Sequence, residues 1–155
     1  MDWGLVLALW LHTVAFVIAW GYYGILARMV LPALDTRDGP ARVALVASIE
    51  RRALPLLAVA IVAFLLTGGY LMVTDPEYAG LGNIRASTWA TLMLVKHLAV
   101  AAMIVAGVVV DLLIRDLAAA DPDDDRALRR VRRSAEVATG LGALIALLTA
   151  AAQAA

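Results

Sequence analysis

Two histidines and a lysine lie inside long apolar stretches of this chain, and they set the chemistry it can do. His12 stands in the run Trp3 to Leu31, and His97, beside Lys96, in the run Trp89 to Ile114. Charge inside lipid is costly, so ionisable residues there face a protein interior or a watery cavity and mark function by default. Met93 precedes His97 by one helical turn, and Met72 stands late in the run Ala53 to Thr74. Imidazole and thioether together suit Cu(I), which makes His12, His97, Met93 and Met72 a candidate metal set. The two imidazoles equally suit axial ligation of a b-type haem inside a helical bundle. In a third reading each histidine only hydrogen-bonds a neighbouring helix and holds no ligand. The chain has no cysteine. That excludes disulfides, thiolate metal sites, iron–sulfur clusters and covalent haem attachment through CxxCH.

The elements that carry these residues follow from composition. Of 155 residues, 63% are apolar, and the mean hydropathy is +0.86. A soluble domain of this size cannot cover so much apolar surface, so the class is integral membrane protein, with the lipid bilayer as its first partner. A hydrocarbon core of about 30 Å needs about 20 helical residues. Four runs qualify, at about 3–31, 53–74, 89–114 and 135–152. Pro32 is expected to end the first and Asp75-Pro76 the second. The runs are continuous rather than alternating, which excludes a β-barrel. The expected fold is all-α, a single transmembrane four-helix bundle over residues 1–155. Met1-Asp2-Trp3 lacks a basic n-region, so the first run reads as a retained transmembrane helix.

Basic residues orient the bundle. Arg28, Arg37, Arg42, Arg51 and Arg52 flank the first connection, and Arg115, Arg126, Arg129, Arg130, Arg132 and Arg133 the third. The second connection has only Arg85. The positive-inside rule then places both termini outside the cytoplasmic (inner) membrane, with Trp3, Tyr78 and Trp89 at the outer interface. The first connection is expected to turn at Asp38-Gly39-Pro40 and then lead into the second helix, where Pro55 is a candidate kink. A helix start near Asp123 suits the Asp-then-Arg order of the third connection. In the fourth run, Ala135, Thr139, Gly142 or Ala143, Ala146 and Ala150 form a small-residue row that permits close helix packing. The formal net charge is zero, and no motif points to nucleic acid.

At 1.5 Å per residue, His12 lies roughly 13 Å below Trp3 and His97 roughly 12 Å below Trp89, so both reach a similar depth in the outer half. The face of His12 includes Ala8, Ala15, Phe16, Ala19 and Tyr23, which leaves room beside the ring. On the third helix, Lys96, Val100, Gly107 and Asp111 share an arc of about 100°. Lys96 either snorkels to the headgroups or faces an anionic group. Asp111 is placed to pair with Arg115 one turn on.

Helix one, LHTVAFVIAWGYYGILARMVLP, resembles the opening helix of the CopD-like membrane superfamily in its early His, a Trp two turns later, a following Gly and a closing Pro. ERRALPLLAVAIVAFLLTGGYLMV and LVKHLAVAAMIVAGVVVDLLI resemble that family's second and third helices. The superfamily includes copper-resistance CopD domains, linked to copper uptake, and is similar to the HemJ type of protoporphyrinogen oxidase. The resemblance points to His12, Trp20, Arg28 and Lys96, the last two matching a HemJ-like pattern suited to porphyrin carboxylates. Helix four keeps an acid at Glu136 but lacks the Asn-Glu-x-Pro-like start of the HemJ type. The leading expectation is copper handling through His12, His97 and Met93. The alternatives are a b-haem electron carrier or HemJ-like oxidase, and a ligand-free subunit of a membrane complex, with other membrane subunits or a redox partner beside it.

Overall fold

A computed structural model describes residues 1–34, 39–76, 78, 80, 87–119 and 125–154. The expected roles of Arg37, Asp38, Arg85 and Asp123 lie outside the described residues. Among the described residues, four helices are long and apolar enough to cross a membrane. The protein is therefore an all-helical, multi-pass membrane protein, as its hydropathy requires.

The first helix begins at Trp3, where the Asp2 carboxylate accepts from the Gly4 and Leu5 amides at 2.9 and 3.2 Å. It runs as an α-helix over Trp3–Ile25, widens to a π turn over Leu26–Val30, and closes with an α turn over Leu31–Leu34. Pro32 was expected to end it but lies inside that last turn. A proline in an α-helix clashes with the carbonyl four residues back and offers it no N–H. The π turn, in which the Leu31 amide reaches back to the Leu26 carbonyl, loosens the helix where that clash would fall. The second helix spans Gly39–Thr74 and absorbs the expected turn residues Gly39 and Pro40 into its start. Proline at a first turn costs no hydrogen bond. Pro55 sits on the exposed side of this helix, which continues unbroken around it. The third helix spans Thr88–Ala119, with the Ser87 hydroxyl accepting from the Ala90 amide at 3.1 Å. The fourth spans Asp125–Gln153, so it begins well before the apolar stretch at 135–152. Its added turns bear exposed arginines outward and Ala127, Leu128 and Val131 inward.

Helix one packs on helices two and four, helix three packs on four and lightly on two, and helices one and three stand across the diagonal. Tyr23, Leu26, Val110, Ile114, Val131 and Ala135 fill the core at one end. Ala19, Leu57, Val100, Met103 and Ile145 fill it towards the other. Large apolar side chains such as Leu66, Val59, Leu98 and Leu147 point outward, where lipid replaces water as solvent.

Lipid gives helices no hydrophobic drive to associate, so close backbone approach and hydrogen bonds must hold the bundle. Two glycines supply the approach. The Trp20 ring lies where a Gly142 side chain would be, with its Nε1–H donating to the Thr139 carbonyl at 2.9 Å. The Tyr23 hydroxyl occupies the corresponding place at Gly107, across the diagonal. Gly140 meets nothing within 4 Å. Gly142→Val should therefore cost about 2 kcal/mol through overpacking, read as a lower Tm in detergent, while Gly140→Ala leaves Tm unchanged or raises it.

Candidate functional site

His12 is half-buried in the bundle half that holds both chain ends. Its ring stacks on Phe64 of helix two at a centroid distance of 4.1 Å and an angle of 17°. Its edge rests against Gly68, where an added Cβ would come within 2.9 Å of Cε1. Nδ1 lies 3.1 Å from the Phe64 carbonyl and 3.1 Å from Thr67 Oγ1. The Thr67 hydroxyl donates to the Ala63 carbonyl at 2.6 Å. With that proton committed, Thr67 offers a lone pair to His12. Both neighbours of Nδ1 are then acceptors, so Nδ1 carries the proton and Nε2 keeps a free lone pair. This is how ligating histidines are usually oriented, through the ring nitrogen that does not bind the metal.

Beside this ring is a cavity of about 250 Å³. His12, Phe16 and Phe64 line one side, Lys96 a second, and Ile145, Thr149 and Gln153 of helix four the rest. Lys96 is half-buried and turned into the bundle rather than out to the headgroups. Among the described residues no acidic side chain lines the cavity.

The other expected site residues lie apart from it. His97 is exposed on the outer face of helix three, with Nδ1 2.6 Å from the Met93 carbonyl of its own helix. The reason is helical phase. Lys96, Val100, Met103, Gly107 and Val110 form the inward stripe, and one residue further turns His97 by about 100° towards lipid. Met93 and Met72 are half-buried and do not line the cavity. The cavity therefore offers neither an axial pair of histidines for a haem nor a shared ligand set for one copper ion. Among the described residues no three His, Cys, Asp or Glu side chains gather as a metal-holding group. Trp20 stacks on Phe16 at 5.6 Å and serves the contact with helix four. Arg28 is exposed in the π turn, roughly 24 Å along the helix from His12.

A second polar layer lies in the opposite half. Asp111 pairs with Arg115 as expected, at 3.0 Å. Glu50 of helix two, only 8% exposed, faces the Asp111 carboxyl. The Tyr22 hydroxyl is buried close by. Glu50 and Thr67 were not singled out from sequence. A hydroxyl in the middle of an apolar run was the available signal for Thr67.

With the site in place, comparison with known families is informative. Copper resistance protein D (CopD) matches residues 50–152, about two-thirds of the chain. The chain belongs to the CopD family. The match takes in helix two from Glu50 and helices three and four up to Ala152, including Phe64, Thr67 and Lys96, while His12 comes from the helix before it. No curated relative and no solved structure matched.

Thr67→Val should remove one of the two acceptors of the His12 N–H and cost about 1 kcal/mol, read as a fall in Tm in detergent. Thr13→Val, whose hydroxyl only donates to the Leu9 carbonyl of its own helix, should stay within about 0.5 kcal/mol of the parent.

Proposed function

We propose that this protein handles copper as cargo in the outer half of the cytoplasmic membrane. His12 is its first ligand, and His97, Met93 and Met72 are stations on the neighbouring faces. The observation that carries the reading is the imidazole of His12, held through Nδ1 with Nε2 free beside a cavity. The CopD membership supports copper as the metal. Imidazole and the soft thioether suit Cu(I). A cargo needs several sites of modest strength rather than one closed cage, since each must also release it. His12 in the cavity and His97 with Met93 on the adjacent face supply two such places.

The orientation rests on the basic residues at the far end of the bundle. Arg42, Arg51 and Arg52 on helix two and Arg126 to Arg133 on helix four belong on the cytoplasmic side. That puts the His12 cavity, near both termini, on the outer side.

His12→Ala should lower Cu(I) affinity by at least about tenfold, measured on detergent-purified protein by competition with a chromophoric chelator. Unchanged affinity in both His12→Ala and His97→Ala would remove the reading. The cysteine-free chain makes introduced cysteines unique reporters of topology. An impermeant thiol reagent on intact cells should label Ser87→Cys and spare Ala41→Cys until the membrane is opened, and the reverse pattern would invert the orientation.

A further inference from the structure

Among the described residues, no acidic side chain lines the His12 cavity in which Lys96 stands. Its ammonium belongs to the inward stripe of helix three, and the cavity wall carries His12, Thr13, Thr149 and Gln153 as its other polar residues. The Thr13 and Thr149 hydroxyls donate to their own helices, to the Leu9 and Ile145 carbonyls at 2.9 and 2.8 Å. The acids on helices two and three that face inward, Glu50 and Asp111, lie in the opposite half of the bundle with Arg115. From Lys96 to Asp111 is fifteen residues of helix, roughly 22 Å. A half-buried ammonium in a low-dielectric setting that meets no carboxylate attracts an anion strongly and repels a bare cation.

We propose that the cavity is an anion site, and that copper enters it as an anionic complex rather than as the bare ion. The second half of this statement rests on the copper reading above; the first does not. The charge balance is simple. Cu(I) carries one positive charge, and two chloride or thiolate ligands bring the complex to a net charge of −1. His12 Nε2 adds as a third, neutral ligand, so no bond to copper has to break on entry. Lys96 then neutralises the excess negative charge without touching the metal. The cavity of about 250 Å³ has room for such a complex, and Phe16, Phe64 and Ile145 give it apolar walls.

Chloride serves as the probe. In the absence of copper, the chloride NMR line should broaden in the presence of the purified wild-type protein. Lys96→Gln should abolish that broadening and Lys96→Arg should retain it, with an unchanged Tm showing that both variants are folded. Equal broadening by wild type and Lys96→Gln overturns the anion site, whatever copper does. In a second arm, chloride replaces nitrate at constant ionic strength while Cu(I) affinity is measured. Wild-type affinity should rise by about tenfold, and that gain should vanish in Lys96→Gln. A chloride-independent affinity, or a Lys96→Gln variant that binds Cu(I) more tightly throughout, overturns entry as an anionic complex. A protein that broadens chloride but binds no copper would retain the anion site and lose both the copper reading and the complex.

Discussion

The arrangement depends on one proton, the one on His12 Nδ1. Thr67 gives its own hydroxyl proton to the Ala63 carbonyl and so meets the imidazole as an acceptor, beside the Phe64 carbonyl. The ring has one way to satisfy both, and that way leaves Nε2 with its lone pair. Phe64 under the ring and Gly68 at its edge fix the plane. A larger residue at position 68 would push the imidazole away. The local sequence Phe64 to Gly68 thus acts as a single cradle on helix two for a side chain on helix one.

The same economy governs the bundle. Helix one is tied to each of the other three by a polar or aromatic contact at a small residue. His12 meets Gly68 on helix two, Tyr23 meets Gly107 on helix three, and Trp20 meets Gly142 on helix four. In lipid such contacts stand in for the hydrophobic drive that organises soluble bundles. They also explain why the helix that carries His12 holds its place although it lies before the stretch matched by the CopD family.

Much of this was legible in the sequence. Hydropathy revealed all four membrane-crossing helices, because 20-residue apolar runs have few other uses. The face of His12 was readable too, since Ala15, Ala19 and Tyr23 are indeed buried. Helix ends were less legible. Pro32 looked like a stop because a π turn upstream leaves no mark on hydropathy. The site was legible by halves. Depth along the helix axis put His12 and His97 at a similar level, but depth says nothing about phase. A rotation of about 100° separates Lys96, in the cavity, from His97, on the outer face. The cradle on helix two was hidden because backbone carbonyls such as that of Phe64 have no signature in a side-chain code.

The central claim is that His12 presents Nε2 to the ligand while helix two holds Nδ1–H. The most direct test is nitrogen NMR of protein carrying isotope-labelled histidine, before and after Cu(I), with His97→Ala to assign the two rings. The account predicts a His12 ring protonated at Nδ1 whose Nε2 resonance alone moves on metal addition. A proton on Nε2, or a Cu(I) response at Nδ1, would contradict it.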